Sequence, residues 1–492
     1  MPFDFSYVAP EKVGIKSDDV KSFLETFDEL GLHTHSIIMA RGEKIFAECY
    51  YKPFEEKFLH RMYSVSKSFV SIAVGVAVTE GLISLDDVVC DYFPEFKNEN
   101  FDEYCKACTV RDMLMMRSNI GTGVYWWGKF NSRIEAYYSQ KSDKLPGGLY
   151  KYDSIGSFLL GCIIEKLTGK NFLEYLKEKV LLELGFSKGS YVLREPGGYA
   201  IGDSGVMCTA RDLLIFARLI MRGGEWGGKQ YIDPEFMKEA IKKQVDNAEL
   251  GGFNSYHSGG YGYLIWKTIP NGFSLTGLGD QLAICDIKND IAFIMTADNQ
   301  GDKGFRHLIH HEFNKHFLPK VRECALPENG EAYSALSEYL QSRELIAQRG
   351  MPSSPIAKSV FGVRFEKKKG ELAIDAVTLF EDRLEIEKDG KAHSLEYGIL
   401  KNKETEFSFG TRARADMMGV DEIGKYNCNA SAAWTDENSI SILVHVTDTY
   451  FGTLTIRISF AKGKASVFMR RSGQYIFDGI EGFLIAESKE NK

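Results

Sequence analysis

The sequence predicts an α+β domain followed by an all-β domain. In the first part of the chain, strand patterns near both ends enclose a series of helical patterns, which indicates one sheet joining the N- and C-terminal segments of that domain. From about Ser359 onward, short β segments alternate with tight turns, a pattern typical of a small barrel. A length of 492 residues also exceeds what one ordinary core accommodates.

The N-terminal domain is predicted from segments whose ends carry turn or cap residues. HSIIMARGEKIFAECYYKP predicts two strands around an Arg41-Gly42 turn, and an apolar helix follows Tyr63. Thr209 precedes an apolar stripe in the position of an N-cap. Further helices are predicted at Thr109–Arg117, Ile155–Leu167 and Phe305–Phe317, and further strands at Gly262–Thr268, Gln281–Asp286 and Ile291–Thr296.

A polar segment connects this domain to the β domain. ENGEAYSALSEYLQSRELIAQRG predicts a helix, and GMPSSP predicts a linker. Asp389-Gly390 is a hairpin signal, while turns near Thr449–Gly452 and Lys462-Gly463 divide the last long β region into three strands. We therefore expect a first domain over residues 1–322, a helical linker over 323–356 and an all-β domain over 357–492.

Composition narrows the class of protein. Hydrophobic residues make up 44% of the chain and charged residues 26%, as in globular proteins. The net charge of -8, without a basic run, excludes nucleic acid as an expected partner. No apolar stretch reaches bilayer length and MPFDFSYVAPEK is no secretory signal, so we predict a cytoplasmic protein without a membrane partner. Nine dispersed cysteines predict reduced thiols, and the CxxC spacing of Cys105 and Cys108 is interpreted as fortuitous.

The stretch YSVSKSFVSIAVG, residues 63–75, places several serines around Lys67. Ser64 and Ser71 both lie within helical reach of that lysine. Ser64 stands at the helix start, where free N–H groups and the helix dipole stabilise negative charge on oxygen, whereas Ser71 is expected to be buried and to bond a backbone carbonyl. A serine becomes nucleophilic when a base takes its proton, and a lysine in apolar surroundings can serve as that base. Spacing alone equally fits an ordinary serine cap followed by an unrelated lysine.

Longer stretches of the sequence strengthen the interpretation of Ser64 and Lys67 as a catalytic motif. S-x-x-K is the first motif of penicillin-binding proteins and serine β-lactamases. The ordered stretches MYSVSKSFVSIAVGVAVTEGLISLDDVVCDYFPEF, TVRDMLMMRSNIGTG, YKYDSIGSFLLGCIIEKLTGK and GDSGVMCTARDLLIFARLIMRGGEWGGKQYI resemble the class C side of that superfamily, from about Val13 to about Lys315. The resemblance implies a β-lactamase-like antiparallel sheet with a helical subdomain. In related multidomain hydrolases a lipocalin-like barrel follows, and the strand pattern here is similar.

The family's second motif, Tyr-x-Asn, corresponds to Tyr152-Asp153-Ser154 ahead of the helix that contains Leu159. The resemblance implies that Tyr152 and Lys67 share the proton of Ser64. Tyr150 is an alternative, although its spacing to the helix is less suitable. Ser154 replaces the usual asparagine, so it retains a hydrogen-bonding group without the reach of an amide, and we assign it to the substrate-binding set.

The third motif corresponds to Leu275-Thr276-Gly277, where Lys or His commonly precedes Thr-Gly. Thr276 and Gly277 are predicted to line the substrate site, and glycine allows a close backbone approach. The backbone N–H groups of Ser64 and Leu278 are implied as the oxyanion hole. Leu275 removes the cation that would pair with the carboxylate of a β-lactam or peptide, which favours a neutral ester or amide.

Other chemistry-bearing residues fit secondary roles. Trp126 and Trp127 follow the SNIGTG loop and are predicted as an aromatic substrate wall, although packing under the loop explains them equally well. His257 and Tyr261 are weaker candidates for the same cleft. His307, His310 and His311 share helical spacing without the H-E-x-x-H order, so core or surface positions are favoured over a metal site.

The sequence therefore predicts a serine hydrolase that cleaves a small ester, amide or D-amino-acyl peptide bond through an acyl-enzyme on Ser64. Neither a metal nor an organic cofactor is expected, and the partner is a small molecule, with a homo-oligomer left open. Because Ser154 and Leu275 depart from the family motifs, two alternatives stay open. One is a catalytically weak or inactive binding protein, and the other is a true β-lactamase or D,D-peptidase.

Overall fold

The computed structural model describes residues 2–121, 130, 132–248, 256–301, 304–407, 425–473 and 480–488. In the N-terminal domain, strands occur near both ends, with helices between them. The strands are β1 Ser6–Tyr7, β2 Thr34–Arg41, β3 Lys44–Tyr50, β4 His60–Arg61, β5 Tyr191–Val192, β6 Val206–Cys208, β7 Glu225–Trp226, β8 Lys229–Gln230, β9 Gly272–Gly277, β10 Gln281–Asp286 and β11 Ile291–Ala297.

The main sheet joins the beginning and the end of this domain, as predicted. Its order is β1-β3-β2-β11-β10-β9, and every pair is antiparallel except β1 with β3. The Arg41-Gly42 turn connects β2 and β3, and Gly42 has a φ of 60°. β9 is the last strand at one end of this order, so the predicted third motif lies on an edge strand, which is buried.

Helices cover both faces of the sheet. Phe23 and Phe293 pack edge to face with ring centroids 5.6 Å apart on one face, while Phe69 stacks on Phe216 at 3.7 Å on the other side. The described helices are α1 Ser17–Glu29, α2 Ser66–Thr79, α3 Val110–Leu114, α4 Arg133–Tyr138, α5 Ser154–Thr168, α6 Phe172–Leu176, α7 Ala210–Met221, α8 Pro234–Ile241, α9 Phe305–His311, α10 Gly330–Gln341 and α11 Ala357–Val360.

Capping residues in the sequence mark the ends of several of these helices, as the structure shows. Thr209 caps α7 in a capping box with Asp212, and Thr109 caps α3 in the same way with Asp112. Gly169 ends α5 with a φ of 69°. None of the described helices has the length and apolarity needed to cross a bilayer.

The strand predicted at Gly262–Thr268 is wrong. The chain there forms isolated bridges of Tyr261 and Trp266, and Leu264 has a φ of 55°. The backbone N–H of Gly262 donates to the carbonyl of Ile265, which closes a turn. The apolar run predicts a strand, but its side chains are mostly buried within an irregular connection, and β9 supplies the edge strand.

The C-terminal region forms a nearly closed β-barrel. One sheet has the order β15-β14-β13-β12-β22-β21-β20-β19-β18-β16, with β17 also paired to β18 and lying beside β15. Asp389 and Gly390 both have positive φ in the turn between β14 and β15, as a two-residue hairpin turn requires. The strands are β12 Arg364–Gly370, β13 Ala376–Leu379, β14 Arg383–Lys388, β15 Lys391–Glu396, β16 Gly398–Ile399, β17 Lys403–Phe407, β18 Tyr426–Asp436, β19 Ser439–Val446, β20 Thr453–Ala461, β21 Lys464–Ser472 and β22 Gly482–Ser488.

The loop between β19 and β20 packs against the first domain. Phe451 is fully buried and contacts the rings of His35 and His60 at centroid distances of 5.0 and 4.8 Å. Its neighbour Tyr450 lies over the guanidinium of Arg61, 5.0 Å from the ring centroid. The barrel therefore buries its loop beside β4, the strand that leads into residues 63–65.

Candidate functional site

Ser64 lies in a 3-10 turn, Tyr63–Val65, that runs directly into α2. Tyr63 has a φ of 45°, in the left-handed region that a bulky residue enters at a cost of about 1–3 kcal/mol. The turn therefore holds Ser64 at the head of an apolar helix, where backbone N–H groups are free of intrahelical partners.

Lys67 is almost completely buried and faces Ser64. Its Nζ donates to Ser64 Oγ at 3.1 Å and to the backbone carbonyl of Asp203 at 2.8 Å. Only 1% of the Lys67 surface is exposed, so its terminal nitrogen has little access to water. The i and i+3 spacing thus brings serine and lysine into direct contact, as expected on one helix face.

The other serines of this stretch hold neighbouring segments. Ser66 Oγ accepts from the N–H of Val206 at 2.9 Å, and Ser68 Oγ donates to the carbonyl of Leu264 at 2.8 Å. Ser71 is fully buried, as predicted, but the expected bond to a carbonyl is wrong. Its Oγ has no hydrogen-bond partner among the described residues. Ser64 is therefore the serine of this stretch that contacts Lys67 in the described structure.

Tyr152 completes the group around Lys67. Lys67 Nζ lies 5.1 Å from the centroid of the Tyr152 ring. The ring stacks on Trp266 at 5.6 Å and meets the edge of Tyr261 at 6.4 Å. Tyr150, the alternative, is buried and packs instead against Tyr261 at 5.5 Å. The structure brings Ser64, Lys67 and Tyr152 together; their roles stay predictions.

The rest of the second motif begins α5. The Asp153 carboxylate caps the helix by accepting from the N–H of Ile155 at 2.9 Å, and it also accepts from Ser118 Oγ at 3.1 Å. Burial raises the pKa of the Asp153 carboxyl above its usual value. Ser154 is half-buried at the first helical position, beside Tyr152 in sequence.

The third motif lies at the end of β9, next to the nucleophile segment. A Cβ added to Gly277 would stand 2.3 Å from the carbonyl oxygen of Met62. Residue 277 must therefore be glycine because the backbone of Met62, just before Ser64, lies so close. This requirement holds whether or not a substrate approaches. Thr276 is buried, and its Oγ1 has no partner among the described residues. Leu278 follows in the turn to β10.

Three charged residues near Lys67 were not predicted from the sequence: Arg61, Arg133 and Asp203. Asp203 Oδ1 pairs with Arg133 Nη1 at 2.5 Å, and both side chains are largely buried. Burial alone would raise the pKa of the Asp203 carboxyl, but the positive charges of Arg133, Lys67 and Arg61 outweigh it and hold the pKa below its usual value. Arg133 and Asp203 are separated by 70 residues. No local sequence pattern links the two residues. The available signal was that Asp203 lies in the GDSG stretch, which resembles the family.

The remaining candidates divide into two groups. Trp126 and Trp127 lie outside the described residues, as does the side chain of His257. Of the three histidines at helical spacing, His310 is buried, and burial lowers its pKa to about 3, while His307 and His311 are half-buried. The ligand atoms of His311, Glu312 and His316, at the end of α9 and just after it, lie within 4.8 Å of one another.

Three curated relatives have names that refer to hydrolysis. The 6-aminohexanoate-dimer hydrolase of Paenarthrobacter ureafaciens is 24% identical over 267 residues, which is 50% of this chain and 67% of that protein. The N-acetylmuramyl-L-alanine amidase of Bacillus subtilis is 31% identical over 21% of this chain, and esterase EstB of Burkholderia gladioli is 25% identical over 30%. The chain spans only 26% of the amidase and 43% of the esterase.

A solved structure with a similar fold and a family model both match the chain. A Bacillus anthracis protein assigned to the 6-aminohexanoate-dimer hydrolases superposes with a TM-score of 0.50 at 19% identity, covering 67% of this chain and 89% of its own. The octameric penicillin-binding protein homologue of Pyrococcus abyssi has a TM-score of 0.48 at 18% identity, covering 95% and 99%. The Beta-lactamase family model matches residues 21–313, and the chain therefore belongs to the Beta-lactamase family.

Proposed function

We propose that this chain is a serine hydrolase that forms an acyl-enzyme on Ser64. The observation that carries the proposal is the contact of Lys67 Nζ with Ser64 Oγ at 3.1 Å, with the Tyr152 ring 5.1 Å from the same nitrogen. A buried amine and a phenol beside one hydroxyl form an acid–base pair around a nucleophile. The names of the relatives support hydrolysis as the type of reaction.

The reaction is proposed in two halves. Ser64 Oγ attacks the carbonyl carbon of the substrate, while Lys67 and Tyr152 take the hydroxyl proton and pass it to the departing alcohol or amine. The N–H groups of Ser64 and Leu278 stabilise the tetrahedral oxyanion. Water then attacks the acyl carbon, loses its proton to the same pair, and releases the acid as Ser64 recovers its hydrogen. Each half breaks one acyl bond and forms one.

A small amide or ester is the proposed substrate class. Leu275 leaves the third motif without the usual cation, which weakens the case for a substrate carboxylate held at this position. One relative is named for cleavage of an aminohexanoate dimer and another for an ester. We accordingly favour linear amides and neutral esters over β-lactams or cross-linked cell-wall peptides.

A paired comparison of Ser64→Ala and Ser71→Ala tests the proposal. Both changes remove one hydroxyl near the same helix, but Ser71 Oγ has no partner among the described residues. The enzymes are incubated with p-nitrophenyl esters, 6-aminohexanoate dimer and a cephalosporin. We expect Ser64→Ala to lose at least about a thousandfold in kcat and Ser71→Ala to stay within twofold. A fluorophosphonate should label Ser64, as read by mass spectrometry.

The outcome also separates the alternatives. Labelling at another residue, or full turnover by Ser64→Ala, would contradict the assignment of the nucleophile. Saturable binding of the same compounds without Ser64-dependent turnover would favour a binding protein. Cephalosporin hydrolysis faster than ester hydrolysis would favour a β-lactamase.

We also propose the domain limits 1–322, 323–356 and 357–492, with a lipocalin-like barrel at the end. Support comes from the helical segment that ends at Lys320, and from β12, which begins the barrel sheet at Arg364.

A further inference from the structure

The turn between β9 and β10 carries the backbone N–H assigned to the oxyanion hole. This turn consists of Leu278, Gly279 and Asp280, and the last two have φ values of 73° and 68°. Aspartate is a non-glycine residue in the left-handed region, so surrounding contacts must hold it there. Asp280 is almost fully buried.

Arg306, the second residue of α9, spans this turn. Its Nη2 donates to the carbonyl of Gly277, just before the turn, and its Nε donates to Asp280 Oδ1 at 2.8 Å, at the end of the turn. Asn299 Nδ2 donates to the other Asp280 oxygen at 3.1 Å. A planar guanidinium with two fixed donors therefore sets the separation and orientation of both ends of the turn.

The Gly277 carbonyl and the Leu278 N–H belong to the same peptide group. A charged donor on the carbonyl oxygen polarises that group and makes its N–H a stronger donor, because linked hydrogen bonds reinforce each other. The same bond fixes the plane of the peptide and hence the direction of the N–H. The Asp280 carboxylate pairs with Arg306, so the turn engages the guanidinium at both Nε and Nη2.

We propose that Arg306 is a positioning residue of the oxyanion hole, acting on the transition state through the Gly277–Leu278 peptide. This inference rests on the proposed function, since it requires Ser64 chemistry with Leu278 as a donor. A positioning role predicts a loss in kcat without a matching change in KM, and the loss should not depend on the charge of the substrate.

The test compares Arg306→Ala with Arg343→Ala. Arg343 is a matched control because it also pairs with one carboxylate, Asp28, and one backbone carbonyl, Tyr339, and its side chain is 20% exposed against 24% for Arg306. Two substrates are used, p-nitrophenyl butyrate and the mono-p-nitrophenyl ester of glutaric acid, which carries a carboxylate. Thermal midpoints are measured for all variants, and Arg306→Lys serves if Arg306→Ala does not fold.

We expect Arg306→Ala to lower kcat about 10- to 100-fold on both esters, with KM within about twofold. Fluorophosphonate labelling of Ser64 should slow in parallel, Arg306→Lys should recover only part of the loss, and Arg343→Ala should leave kcat within twofold. A rise in KM confined to the glutarate ester would instead make Arg306 a substrate contact and overturn the inference. Unchanged kcat in Arg306→Ala would overturn it too, while turnover by Ser64→Ala would remove the proposed function itself.

Discussion

Two buried polar clusters lie on either side of β4. One keeps charged groups buried, and the other consists of histidines whose pKa burial lowers. The charged cluster consists of Arg61, Lys67, Arg133 and Asp203, so three cations surround one carboxylate. The histidine cluster consists of His33, His35, His60 and His445. Burial lowers the pKa of His60 to about 3 and that of His445 to about 4.

The difference shows how each cluster tolerates a low dielectric. A buried charge is stable when opposite charges and hydrogen bonds surround it, whereas a buried imidazole avoids the cost by staying neutral. His35 Nδ1 and His60 Nε2 lie 3.1 Å apart, so one ring can donate to the other unless both rings are protonated. The charged cluster lies beside Ser64, and the histidine cluster lies under the barrel loop.

The largest expected effect comes from breaking the charged cluster at Arg133. Arg133→Met leaves the Asp203 carboxylate buried without its closest cation, at a cost of about 3 kcal/mol, because an uncompensated buried charge is strongly unfavourable. Thermal denaturation should show a midpoint several degrees lower. The double variant Arg133→Met/Asp203→Leu should recover part of the loss, and Arg222→Met, which breaks a more exposed pair with Glu43, should cost less than about 1 kcal/mol. Equal losses in Arg133→Met and Arg222→Met would contradict the comparison.

A second prediction concerns acid and the histidine cluster. The folded-state pKa values lie below the unfolded value of 6.5, so the unfolded chain binds more protons between these limits. The histidines' contribution to the free energy of unfolding is therefore fully present above pH 6.5. It is lost as the pH falls from about 6.5 towards about 4. Each histidine contributes a slope of up to about 1.4 kcal/mol per pH unit.

Thermal midpoints between pH 7.5 and 4.5 measure this slope. His445→Phe should reduce the pH dependence, whereas His393→Gln, a change outside the cluster on β15, should leave it unchanged. A pH profile that is the same in wild type and His445→Phe would show that the cluster does not control acid stability.

The smallest expected effect is at the point where the barrel reaches the charged cluster. Tyr450→Phe keeps the ring over Arg61 and removes a hydroxyl that hydrogen-bonds it, so we expect a loss of about 1 kcal/mol. The thermal midpoint should fall by a few degrees at most, with kcat on an ester within about threefold. A loss as large as that of Arg133→Met would mean that the barrel loop is an essential part of the cluster.

Features determined by neighbouring residues were predictable from sequence. The Thr209 cap, the Arg41-Gly42 turn and the Asp389-Gly390 hairpin depend on residues a few positions apart, and each is confirmed. The contact of Lys67 with Ser64 was predictable for the same reason. The Gly262–Thr268 error has the opposite cause, since an apolar run without clear periodicity does not distinguish a strand from a buried irregular segment.

Features determined by tertiary packing were not predictable. The pair of Arg133 and Asp203 and the contact of Arg306 with Gly277 join residues from different elements, and no local pattern marks them. The reason for Gly277 was also incomplete, because the close approach of the Met62 carbonyl depends on how β9 meets the nucleophile segment. Departures from the family motifs at Leu275 and Ser154 were visible, but the charges around them were not.

The dipeptide His60-Arg61 has a consequence for insertions and deletions. These two residues pair with Cys208 and Met207 in β6, and successive side chains of a strand point to opposite sides. A shift by one residue would place the imidazole among the cations and the guanidinium among the aromatic rings under the barrel. In a library of single-codon insertions and deletions, the segment from Phe58 to Tyr63 should thus be depleted of functional clones, even where each substitution alone is tolerated.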